Sequence, residues 1–124
     1  MFAEALELYK KAAELTGIPQ PGLAITYAKM GRRSDAERVL GEVKAFAATH
    51  YFAGEEVASI YVALGDNDAA FQWLERAYNE HSGSLHGIVA RPIFRPLRSD
   101  PRFADLLRRI GLDPAQALSR QNKQ

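Results

Sequence analysis

The chain contains no cysteine. Disulfides, iron–sulfur clusters and thiol catalysis are therefore excluded, and the composition suits a reducing, cytoplasmic setting. Histidine is scarce: His50, His81 and His86 are the three present. None stands three or four residues from another histidine or a carboxylate, the spacing that a helical metal site needs, and Glu80 beside His81 points elsewhere on a helix. No Gly-Lys-Ser/Thr follows Gly83 or Gly87, so a phosphate loop is not expected, and Ser59, Ser82 and Ser84 lack a nucleophile's setting. No cofactor, metal or catalytic residue is expected. Neither sign of charge dominates, with 16 basic and 15 acidic residues and a net charge of +1. Any pull toward nucleic acid or membrane must be local. No apolar run approaches the roughly 18 residues of a membrane span. The opening Met1–Glu7 carries charge too early for a secretory signal and continues as an amphipathic helix.

What the chain does have is a repetition. Leu23, Ala24, Tyr27, Gly31, Ala36, Leu40 and Val43 return as Val57, Ala58, Tyr61, Gly65, Ala70, Leu74 and Ala77, each 34 residues later. A period of about 34 residues marks stacked helix-turn-helix units. Leu23 with Tyr27, and Val57 with Tyr61, lie four apart and share one helix face. Gly31 and Gly65 can take the left-handed conformation that closes a helix, and Arg32–Asp35 and Asp66–Asp68 suit the start of the next one. The small pairs Ala24 with Ala36, and Ala58 with Ala70, let two helices approach closely.

The pattern L-A-x2-Y-x3-G-x4-A-x3-L-x2-V at Leu23–Val43, and its second copy at Val57–Ala77, resembles the tetratricopeptide repeat family. Three departures stand out. Gln20 and Gly54 occupy the place of the family's early tryptophan, alanine replaces the usual glycine after the leucine, and Ala48 and Ser82 replace the closing proline. The wider run from Tyr9 to Leu112 is similar to tetratricopeptide stretches at the C-termini of bacterial transcription regulators, nucleotide cyclases and serine/threonine kinases. The resemblance implies an all-α, right-handed superhelical stack of antiparallel hairpins. It also implies a sensory or scaffolding module whose catalytic or DNA-binding domain lies upstream.

Residue by residue, a single domain over 1–112 is expected. Residues 1–17 supply the second helix of an incomplete repeat, 20–50 and 53–82 are full repeats, 84–112 a degenerate capping repeat, and 113–124 a polar tail. Helix Phe2–Thr16 carries two apolar stripes, Phe2, Leu6, Tyr9 and Ala13 on one and Ala5, Leu8, Ala12 and Leu15 on the other. Phe2, Leu6 and Tyr9 are the candidate self-association edge, which makes a homodimer one expected partner. Pro92 and Pro96 forbid a regular helix over Arg91–Arg98, while Ser99-Asp100-Pro101 restarts one that Gly111 ends. Trp73 is read as a packing residue between repeats.

Carried over from the resembled family, a concave groove would present Ile25, Ala28 and Lys29 from one hairpin and Glu55, Ser59 and Val62 from the next. It would receive a protein or peptide segment with an apolar contact surface, oriented by Lys29 and Glu55. Arg91, Arg95, Arg98, Arg102, Arg108 and Arg109 crowd one stretch and could hold an anion or nucleic acid. No stacking aromatics accompany them, so they are read instead as an outer layer whose stems cover the C-terminal core.

Overall fold

The computed structural model describes residues 1–122 and, among these, is all-helical with no strand. Seven α-helices follow in order: α1 Phe2–Thr16, α2 Pro21–Lys29, α3 Arg33–Thr49, α4 Gly54–Ala63, α5 Asn67–Asn79, α6 Pro101–Arg109 and α7 Pro114–Asn122. Two short 3-10 segments, Leu85–Val89 and Pro92–Leu97, lie between α5 and α6. The second agrees with the prolines, because Pro92 and Pro96 remove two amide donors that a regular helix would need. The C-terminal stretch differs from the polar tail expected there. Asp113 Oδ1 accepts a bond from the Ala115 amide at 3.0 Å, and α7 follows with Ala117 and Leu118 packed on the core.

The turns repeat as the helices do. Helices α3, α5 and α6 begin at Arg33, Asn67 and Pro101, each start 34 residues after the last. Gly31, Gly65 and Gly111 precede or close these turns with φ of 79°, 83° and 89°. In each, the residue after the glycine donates five residues back: Arg32 to Tyr27, Asp66 to Tyr61 and Leu112 to Leu107, at 2.8–2.9 Å. These bonds satisfy carbonyls left open at a helix end. After α5 the same bond runs from Ser82 to Ala77 at 3.0 Å, but His81 occupies the left-handed position with φ 55°. Asp66 and Asp100, themselves 34 apart, cap α5 and α6 by accepting from the Ala69 and Arg102 amides at 3.1 and 2.9 Å.

Helix α2 packs on α3 and α4 on α5, while α1 lies on α2 and α2 on α4. The repeated positions hold the interior: Ala24, Ala58, Ala36, Ala70, Leu74, Val43 and Ala77 are buried. Two apolar clusters result, one around α2 and α3 and one around α5, α6 and the 3-10 segments. Tyr61 and Trp73 pack against both, in keeping with the packing role read for Trp73. The start of α4 runs close to the backbone of α5. A Cβ on Gly54 would fall 2.5 Å from the Trp73 carbonyl oxygen and 3.0 Å from the Ala77 amide nitrogen.

Gly41, in mid-α3, has nothing within 4 Å of the same hypothetical atom. Gly54→Ala is therefore expected to destabilise by about 1–3 kcal/mol through forced backbone movement. Gly41→Ala is expected to stabilise by about 0.5–1 kcal/mol through lost unfolded-state freedom. Urea midpoints of the two variants check this, and shifts in the same direction would contradict it.

Candidate functional site

The six residues expected along an inner groove do not share one open surface. On α2, Ile25 and Ala28 are half-buried and Lys29 is exposed. On α4, Glu55, Ser59 and Val62 are instead buried, at 1%, 0% and 7% exposure. The reason is the segment that follows α5: the 3-10 turn Pro92–Leu97 packs on α4 and puts Phe94 and Leu97 wholly inside. Val62 accordingly belongs to the C-terminal apolar cluster. Ser59 turns its hydroxyl back to the Glu56 carbonyl at 2.6 Å.

Glu55 is not an orienting charge at a groove but an internal tie. The Ser82 hydroxyl lies 2.9 and 3.1 Å from its two carboxylate oxygens and donates to them, and the Ser84 hydroxyl donates to Oε2. A carboxylate so deeply placed needs such donors, since an unpaired buried charge is costly. Its neighbour Glu56 takes the Arg91 guanidinium at 2.6 Å, which fastens the start of the second 3-10 segment over α4.

The expected N-terminal edge is also redistributed. Phe2 is 46% exposed, but Leu6 is buried and Tyr9 half-buried, so that stripe faces α2. Gly22 explains the seating, because any side chain there would run into the Tyr9 ring. Of the other stripe, Leu8 and Leu15 are exposed at 70% and 77%, while Ala5 and Ala12 are half-buried. Beyond the helix, Ile18 is 41% exposed and joins Ala13, Pro19, Leu23 and Val39 in lining a cleft of about 460 Å³ between α1 and α3. Lys10, Glu14 and Glu42 also line it.

Of the crowded arginines, Arg91, Arg102 and Arg109 are engaged by carboxylates. Arg102 meets Asp68 at 3.0 Å and Asp100 at 2.9 Å, while Arg109 pairs with Glu75 and, at 3.1 Å, with Asp105. Their guanidinium groups sit over rings as well: Arg102 over Phe71 at 4.3 Å, Arg109 over Tyr78 at 4.9 Å and Arg91 over Phe94 at 5.2 Å. These distances are those of cation–π contacts. Arg98 donates to the Val89 carbonyl at 3.1 Å, and Arg95 and Arg108 are exposed. The arrangement is a cover over the C-terminal core more than an open cationic surface.

His50 lies apart from the other two histidines, whereas His81 and His86 line one small cleft with Tyr78 and Ile110. His50 stacks on Phe46 with centroids 4.2 Å apart, and His86 Nε2 lies 2.9 Å from the Ile110 carbonyl oxygen. Among the described residues no helix is long and apolar enough to cross a membrane. No family model matches the chain, and neither a curated protein nor a solved structure matches it.

Two carboxyls take their titration from this layer. Hydrogen bonds from the Arg102 side chain and amide hold Asp100 below its usual range, and the bond from Arg109 does the same for Glu75. A carboxyl depressed in the folded state contributes stability above its unfolded pKa and loses it as pH falls through the folded one. Unfolding midpoints should therefore decline as pH drops from about 5 to about 2. The decline should be shallower for the Glu75→Gln, Asp100→Asn variant. Both groups are only half-buried, so the difference is expected to be small. Parallel pH profiles for the two proteins would contradict this.

Proposed function

We propose that the chain is a non-catalytic protein-interaction module of the helical-repeat type, and that it makes contact through the outer face of α1. The repeat reading is supported by the resemblance to tetratricopeptide units and by the spacing of the helix starts. It is supported further by ion pairs between residues one period apart, Asp68 with Arg102 and Glu75 with Arg109. Equivalent positions of successive units should meet in this way when units stack.

The location of the surface rests on one observation. Of the six exposed large apolar residues among those described, Met1, Phe2, Leu8, Leu15 and Ile18 fall within the first eighteen positions, and Tyr51 is the sixth. Scattered exposed apolar groups are ordinary, but Leu8 and Leu15 stand seven apart on the outer side of α1, and two large aliphatic side chains in line on one helix mark a contact surface. The inner face suits this role less well, because Arg91 and the Pro92–Leu97 turn occupy the part contributed by α4. What remains there is Ile25, Ala28 and Lys29, a patch too small for a lasting interface by itself.

A photo-crosslinking side chain placed at Leu15, and separately at Gln72 on the exposed side of α5, tests the assignment in cells that produce the protein. Protein adducts are expected from position 15 and not from position 72. Equal yields from both, or none from position 15, would overturn it.

A further inference from the structure

The cleft between α1 and α3 has a counterpart one period along the chain, and the two are not filled alike. Ala13, Ile18, Leu23 and Val39 give the first its apolar walls around a space of about 460 Å³. Their equivalents 34 residues later, where α3, α4 and α5 meet, are Ala47, Phe52, Val57 and Trp73. Two positions thus carry rings in the second unit and aliphatic side chains in the first. Phe52 and Trp73 pack against the apolar cluster around α2 and α3, and Arg76 lies over the Trp73 ring at 4.7 Å. The equivalent of Arg76 at the first cleft is Glu42. We propose that the α1/α3 cleft binds an aromatic side chain of a partner peptide, tryptophan fitting best, with a lysine or arginine next to it in that peptide. The inference rests on the equivalence of stacked units and not on the outer-face contact of α1.

The ring follows from packing. Stacked units set equivalent residues in equivalent places, so the second unit displays what occupies this groove when it is filled. Val39 in place of Trp73, and Ile18 in place of Phe52, withdraw two rings while Leu23 and Val39 keep an apolar floor at 9% and 2% exposure. The cation follows from charge. Lys10 on the rim has its equivalent in Lys44, but Glu42 stands where Arg76 does and Glu14 where Ala48 does. Arg38 reaches Glu42 only at 3.7 Å, and both carboxylates are exposed. A ligand that brings its own cation beside its ring would meet these two acids and complete the ring-and-guanidinium pair that the second unit makes internally.

The volume is within the range of ligand pockets. One ring and one charge still make a small contact. Dissociation constants from about 10 μM to about 1 mM are expected.

Acetylated and amidated peptides Ala-Trp-Arg-Ala, Ala-Trp-Glu-Ala and Ala-Leu-Arg-Ala, titrated into the full chain and followed by methyl NMR, read the site directly. The first is expected to shift the methyls of Ile18, Leu23 and Val39 and to leave those of Leu8 and Leu15 in place. The glutamate peptide should bind about fivefold more weakly and the leucine peptide about tenfold. Val39→Trp and Ile18→Phe each rebuild part of the filled groove and should weaken binding about tenfold with helicity unchanged by circular dichroism. Ile18 is 41% exposed, so its variant carries the test if Val39→Trp does not fold. Glu14→Lys with Glu42→Lys should abolish the preference for arginine over glutamate. No shift at the cleft methyls with peptide up to about 5 mM, or binding that Ile18→Phe leaves intact, overturns the site. Equal affinity for the arginine and glutamate peptides overturns the charge assignment. Shifts confined to Leu8 and Leu15 overturn the cleft while keeping the outer-face reading.

Discussion

Helix α4 is enclosed on nearly every side, and the remainder of the molecule is arranged by that enclosure. Seven of its ten residues are buried. Val57 and Ile60 enter the cluster shared with α2 and α3, while Ala58 and Val62 enter the one shared with α5 and α6. A helix of three turns is marginal by itself in water, so α4 exists because its neighbours cover it. Gly54 admits the α5 backbone at one end, and Glu55 accepts from Ser82 and Ser84 at the same end. A carboxylate in the first turn of a helix is also favoured by the helix dipole. The two serines lie in the turn after α5, so this polar tie fastens the second hairpin's exit to its entrance. Removing both hydroxyls would leave a charge inside without donors.

Enclosure of the middle makes the two ends unequal. The C-terminal end is finished by α6, whose arginines reach back to Asp68 and Glu75, and by α7, which lays Ala117 and Leu118 on the core. The N-terminal end is finished by α1, which turns Leu6 inward and leaves Leu8 and Leu15 outside. The two ends therefore present different surfaces, one covered by charged and aromatic pairs and the other carrying exposed leucines.

Much of the architecture was legible because it is local. Gly31, Gly65 and Gly111 announce left-handed helix ends, Asp66 and Asp100 announce caps, and the 34-residue recurrence announces which helices pair. What could not be read was which of two acceptable faces a neighbour would take. Helix α1 has two stripes at helical spacing, and sequence spacing treats Leu6 and Leu8 alike. The deciding contact is Tyr9 against Gly22, a long-range fit that periodicity does not encode. Glu55, Ser59 and Val62 were misplaced for a related reason. Their face was assigned by position in the repeat, whereas a segment with two prolines and no helical signature lands on it. One signal was present: Pro92 stands 34 residues after Ala58, so extending the period once more would have set that segment beside α4. The tail was underestimated because Ala117 and Leu118 are too few to make a stripe, although Asp113-Pro114 is a sound helix start.

Residue-resolved hydrogen exchange of the native protein tests the central claim most directly. If α4 is the enclosed element on which the others rest, its amides from Ser59 to Val62 should exchange slowest of all and only through global unfolding. Those of α1 and α7 should open at lower free energy. Amides of α4 that exchange as fast as those of α1, while the remainder of the chain stays protected, would contradict the account.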